Sequence, residues 1–114
     1  MKSTQIRVKK GPEAEIQRAF KLFLLERDWF AKDTHGNAIQ SGFPDMYADH
    51  AMYGVRWIEF KNPESYKFTP AQISIFPKIN AGVWIVTACN QFEYDKLFRP
   101  ANWYFYLNIW RTSK

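Results

Sequence analysis

Three short runs in the middle of the chain carry side chains that could do chemistry together. Gly42-Phe43-Pro44-Asp45 ends in a carboxylate on a stiff turn. Ile58-Glu59-Phe60-Lys61 puts a carboxylate and an ammonium two residues apart. Thr69-Pro70-Ala71-Gln72 opens a helix with an amide. Hard divalent cations take oxygen ligands from few protein groups, and Asp45, Glu59 and the backbone carbonyl of Phe60 are suitable donors. Lys61 can position an attacking water or stabilise developing negative charge. Hydrolysis of a phosphodiester needs these parts, because a metal both activates water and offsets charge on the phosphate. A Glu-x-Lys pair on a strand, taken alone, more often marks a solvated face, and Asp after Pro is a common turn residue.

These runs need elements to hold them. Residues 55–61 read as a strand, so Glu59 and Lys61 share one face and Ile58 and Phe60 the other. Residues 45–50 read as a second strand, joined to the first by a turn near Tyr53-Gly54. Thr69 can cap a helix that starts at Pro70 and that Pro77 should bend or shorten. Upstream, Gly11-Pro12 starts a helix whose apolar face is Ile16, Ala19, Phe20, Phe23 and Leu24, with Glu13 and Glu15 at the positive end of its dipole. A short strand is expected at Trp29-Phe30-Ala31 and a loop over residues 32–42. Downstream come a central strand at 83–88, a short helix capped by Asn90 that ends near Phe98, and a last aromatic strand over 103–110. This order predicts an α/β fold with a mixed central sheet of about five strands flanked by helices.

At 114 residues the chain has room for one domain, 1–114. A hydrophobic fraction of 46% with 18% aromatic residues suits a packed core and excludes disorder. The net charge of +5 favours a polyanionic partner. Lys2, Arg7, Lys9 and Lys10 all precede the first acid and make residues 1–11 a basic arm, either a frayed terminus or a phosphate contact. The single cysteine, Cys89, lies in an apolar run and reads as a small buried residue. The five glycines are scattered, so no nucleotide-binding loop is expected, and His35 and His50 lack zinc-site spacing, although His50 could lie near Asp45. No apolar run approaches a membrane span, and no signal peptide is read, which predicts a cytoplasmic protein with no membrane partner.

In this order and at these spacings, Gly42-Phe43-Pro44-Asp45, Trp57-Ile58-Glu59-Phe60-Lys61 and Thr69-Pro70-Ala71-Gln72 resemble the PD-(D/E)xK nuclease superfamily. More narrowly they resemble its VRR-NUC family in compact, stand-alone, phage-type form. The resemblance runs from about Pro12 to Ala88. It implies a restriction-endonuclease-like core, with Asp45 and Glu59 as ligands of Mg²⁺ (Mn²⁺ may substitute), Lys61 as the catalytic lysine and Gln72 as the residue orienting substrate or water. It also implies an acidic residue on the first helix. Glu13 projects onto the stripe of Phe20 and Leu24 and is preferred over Glu15, as a ligand reached directly or through water. Lys9, Lys10, Lys67 and Lys78 would hold the DNA backbone without reading bases.

The activity implied is an endonuclease on structured DNA, resolving Holliday junctions or cutting flaps, in DNA repair, within a bacterial or phage-infected cell. A homodimer is expected, because branched DNA calls for two sites and aromatic edge strands pair readily. The rival readings are a DNA-binding module that kept the fold without catalysis, a restriction-type enzyme specific for a sequence, and an interaction protein whose charged strand faces solvent.

Overall fold

The computed structural model describes residues 11–34 and 41–113. The element order is α1 (Pro12–Leu25), β1 (Phe30–Asp33), β2 (Met46–His50), β3 (Gly54–Phe60), α2 (Pro70–Ile75), a 3-10 turn (Phe76–Lys78), β4 (Val83–Val86), α3 (Gln91–Asp95), a second 3-10 turn (Lys96–Phe98) and α4 (Trp103–Thr112). The strands form one mixed sheet in the order β1-β2-β3-β4, with β1, β2 and β3 antiparallel and β4 parallel to β3.

Alternation along the strands divides the core in two. Ile58 and Phe60 face α1 and pack with Phe20, Leu24, Ala31, Met46, Ala48, Trp84, Val86 and Leu97. On the opposite face Val83 and Ile85 pack with Phe68, Phe76, Trp103 and Leu107, and Trp57 lies partly buried against them. Glu59 and Lys61 project to this second face. The α1 stripe forms as its spacing predicts, except that Ala19 is exposed. The helix closes with Asp28 in the left-handed region (φ 71°) and the Trp29 N–H on the Leu24 carbonyl, an end that Asp tolerates better than most residues.

The structure corrects one element. Residues 103–110 form a helix, not a strand, and among the described residues the sheet has four strands rather than about five. Trp103 and Leu107 are buried and Tyr106 and Trp110 half-buried, so burial recurs at i, i+3, i+4 and i+7, which is helical spacing. The place beside β4 where a fifth strand would pair is taken by side chains. Asn102 Oδ1 accepts from Ile85 N–H at 2.6 Å, and Glu93 Oε1 accepts from Thr87 N–H at 3.0 Å. These two acceptors satisfy edge amides that would otherwise recruit another strand. The aromatic edge strand on which a dimer was expected therefore does not exist.

Candidate active site

Asp45 stands immediately before β2, and the β2–β3 register that pairs Met46 with Ile58 sets it opposite Glu59. Two local features fix the approach. Gly42 has φ +95°, and a Cβ there would lie 2.7 Å from the Ala71 carbonyl oxygen, so the turn runs hard against the backbone of α2. Thr34 then grips the turn from β1. Its hydroxyl donates to the Pro44 carbonyl, and its N–H donates to the Asp45 carbonyl at 2.9 Å. Thr34 was invisible to motif reading, because nothing in its neighbours marks a threonine that ties the end of β1 to the approach to β2.

The two carboxylates brace one another through backbone. Asp45 N–H donates to Glu59 Oε1 at 3.2 Å, and Phe60 N–H donates to Asp45 Oδ2 at 2.8 Å. Both side chains are only 1% exposed. Lys61 is 6% exposed, and its ammonium lies 3.3 Å from Glu59 Oε2. It donates to Gln72 Oε1 at 3.1 Å and to the Lys67 carbonyl at 2.7 Å, and it sits 4.6 Å from the centre of the Phe68 ring. A buried ammonium over an aromatic face gains from the ring quadrupole as well as from its anion.

Gln72 is placed by a capping box. Thr69 Oγ1 accepts from Gln72 N–H and Gln72 Oε1 accepts from Thr69 N–H, each at 3.1 Å. That arrangement holds the amide so that its nitrogen donates to Glu59 Oε2 at 2.9 Å while its oxygen receives Lys61. Pro70 opens the helix and Pro77 ends it within a 3-10 turn, so α2 is a short rigid bracket for one side chain.

The remaining expected residues divide. Glu13 is half-buried at the start of α1 and Glu15 is exposed. Among the described residues no group of three His, Cys, Asp or Glu side chains forms a metal cluster, so what the structure brings together is the pair Asp45 and Glu59. Lys67 and Lys78 have exposed side chains. Lys67 also has a role unseen in the sequence, since its carbonyl, not its amine, meets the Lys61 ammonium. Lys9 and Lys10, with the basic arm, lie outside the described residues. His50 is not near Asp45. It closes the other end of β2, packs against Trp29 and Tyr53, and accepts Met52 N–H on Nδ1.

The chemistry of the donors fits a hard divalent cation. Asp45 and Glu59 supply oxygen only, they are adjacent across one strand pair, and their orientation is held by backbone amides. The Phe60 N–H points to Asp45, and the carbonyl of a strand residue points to the same side as its N–H, so the Phe60 carbonyl is directed toward β2 as well. Asp45, Glu59 and that carbonyl are the groups that would hold the ion.

No family model matches the sequence, and no curated protein matches it either. A solved structure described as a VRR_NUC domain is similar in fold, with a TM-score of 0.63 over 80% of this chain and 99% of that one, at 19% identity. The described elements, a four-stranded mixed sheet flanked by helices, fit the restriction-endonuclease-like fold.

Proposed function

We propose that this chain, which has the fold of a VRR-NUC domain, is a Mg²⁺- or Mn²⁺-dependent endonuclease acting on DNA, with branched DNA as its substrate. One observation carries the reading. Side chains from a turn, a strand and a helix converge into a single hydrogen-bonded cluster, Asp45–Glu59–Lys61–Gln72, with its two carboxylates and its ammonium buried. A strand that merely faced solvent would leave Glu59 and Lys61 in water. Burying three ionisable groups is costly, and is retained where the charges have work to do.

When bound by Asp45, Glu59 and the Phe60 carbonyl, the metal supplies activation of water and neutralisation of charge on the phosphate. The protein contributes position and field. Lys61 holds its ammonium where negative charge grows on the phosphate oxygens as water adds to phosphorus. Gln72 bridges the ion pair, accepting from Lys61 and donating to Glu59 Oε2, and so fixes the orientation of both. Cleavage of the P–O3′ bond leaves a 3′-hydroxyl and a 5′-phosphate. Lys67 and Lys78, exposed on either side of α2, and the basic arm with Lys9 and Lys10 bind the DNA backbone.

A domain this small leaves little surface for reading a long sequence, which favours selection by DNA shape, as at a four-way junction or flap. Paired cuts at a junction call for two sites, and a homodimer would supply them. Helix α4 offers a surface for it, with Tyr104 58% and Phe105 63% exposed. Such an enzyme would act in DNA repair or phage replication, in the bacterial cytoplasm or that of a phage-infected cell. Among the described residues no helix is long and apolar enough to cross a membrane.

The test is cleavage of labelled four-way junction, flap, linear duplex and single-stranded DNA with Mg²⁺, Mn²⁺ or EDTA, beside Lys61→Ala. Metal-dependent cutting of branched DNA that the variant lacks is expected. Binding without cutting in every metal would leave a DNA-binding module as the better account, and one fixed cut sequence on linear duplex would indicate a restriction-type enzyme.

A further inference from the structure

A second ion pair, with its carboxylate buried and its ammonium partly so, lies outside the cluster just described. Glu93, 5% exposed, pairs with Lys96 at 2.8 Å, and Lys96 Nζ also donates to Tyr106 Oη at 2.7 Å. Burial opposes the charge on Lys96, but its bonds to Glu93 and Tyr106 outweigh that cost and raise its pKa above the ordinary lysine value. Nothing in the proposed chemistry uses these residues, and they lie beyond the Pro12–Ala88 stretch on which the sequence resemblance rests.

Both partners of Lys96 lead to Lys61. On one side, Glu93 Oε1 holds the N–H of Thr87, the residue after Val86. The Val86 carbonyl in turn receives the Lys61 N–H at 3.1 Å, so this branch fixes the backbone of the lysine. On the other side, Tyr106 receives Tyr66, whose hydroxyl donates to the Tyr106 carbonyl at 2.9 Å and whose ring meets the Tyr106 ring edge-on at 5.9 Å. Tyr66 packs on Phe68, and Phe68 packs on Trp110 of α4. This loop presents the Lys67 carbonyl and the Phe68 ring to the Lys61 ammonium. The two branches hold different ends of one residue, and they meet at Lys96.

We infer that Lys96 is a positioning residue for Lys61, tying α3 and α4 together beside the β4 edge so that backbone and ammonium of the catalytic lysine are held at once. The inference rests on the assignment of Lys61 to catalysis. Outer partners of this kind are worth about 10- to 100-fold in activity when removed from metal sites. The two branches act through one residue, so their effects are coupled rather than additive.

The experiment compares wild type, Lys96→Met, Tyr66→Phe and the double variant. The readouts are kcat and KM on the preferred DNA, the thermal midpoint, and amide hydrogen exchange at Lys61 and Thr69, whose N–H groups donate to the Val86 carbonyl and to Gln72 Oε1. Lys96→Met is expected to lower kcat about tenfold with KM unchanged, and to speed exchange at both amides. Tyr66→Phe is expected to lower kcat less, and the double variant to resemble Lys96→Met. Lys96→Arg should restore part of the loss, because it keeps a cation between Glu93 and Tyr106. Should Lys96→Met not fold, Tyr106→Phe decides, since it removes only the oxygen to which Lys96 Nζ donates and keeps the ring. A lowered midpoint with kcat of the folded protein unchanged in either variant would overturn the inference. If wild type cuts no DNA, the nuclease reading fails, and exchange alone then decides the positioning. Unchanged exchange at Lys61 and Thr69 would sink it.

Discussion

The Lys61 ammonium lies 3.1 Å from the side-chain oxygen of Gln72, and that same oxygen caps the helix from which Gln72 projects. Helix start and site geometry are therefore one structure. Gln72→Ala removes half of the capping box and both contacts to the site. It should lower stability by about 1 kcal/mol and cut activity more than stability explains. Gln72→Glu keeps an oxygen for Lys61 but sets a carboxylate against Glu59 Oε2. The expected outcome is a lower thermal midpoint than wild type at neutral pH, because two carboxylates then face one another.

Asp45 serves the fold as well as the site, because Phe60 N–H depends on it. Asp45→Asn keeps an acceptor there and should fold near wild type with no cleavage and weakened Mn²⁺ binding by calorimetry. Asp45→Ala leaves a buried donor unsatisfied, which costs about 1–3 kcal/mol. Denaturant melts should separate the two variants. Equal stability would mean that Phe60 finds another partner.

Gly42 is irreplaceable for two reasons that act together, a positive φ and a backbone approach closer than any Cβ contact. Gly42→Ala should destabilise by about 1–3 kcal/mol and shift α2 relative to Asp45. Activity measured on the folded fraction should fall as well, since Gln72 moves with the helix.

Asn102 stands where a neighbouring strand would, with its oxygen on Ile85 N–H and its nitrogen 3.4 Å from the Ile85 carbonyl. Asn102→Ala uncovers the β4 edge. A loss of about 1–2 kcal/mol and a concentration-dependent rise in scattering are expected, because open edges pair with other chains.

Cys89 is half-buried against the α1-side core, and burial raises its thiol pKa above the usual value, with Arg27 acting weakly the other way. The thiolate is the reactive form. Cys89 should therefore react with a disulfide reagent more slowly at pH 7.5 than a small free thiol does, and the rate should climb through pH 9. Fast labelling at pH 7.5 would show an exposed thiolate.

Much of the site was readable because its parts are local. Thr69, Pro70 and Gln72 spell a capping box within four residues, and that box forms. The strand alternation that puts Glu59 and Lys61 on one face needs only period two. The Asp45–Glu59 separation fits a hairpin, and the register opposes them. The last element was misread because Trp103, Tyr104, Phe105 and Tyr106 form an aromatic run, and aromatic residues favour strands by propensity. The i, i+3, i+4, i+7 burial of Trp103, Tyr106, Leu107 and Trp110 decides for a helix, and burial is a property of the packed chain.

By itself the sequence determined which groups could do the chemistry and which local elements carry them, since residue types, caps and strand period act over a few positions. Tertiary structure decided what surrounds those groups. Thr34 on Pro44, the Lys67 carbonyl on Lys61, Asn102 and Glu93 on the β4 edge, and Lys96 between Glu93 and Tyr106 all join different elements. Such contacts leave no local pattern, because a hydrogen bond across the fold constrains each partner's chemistry but not its neighbours in the chain.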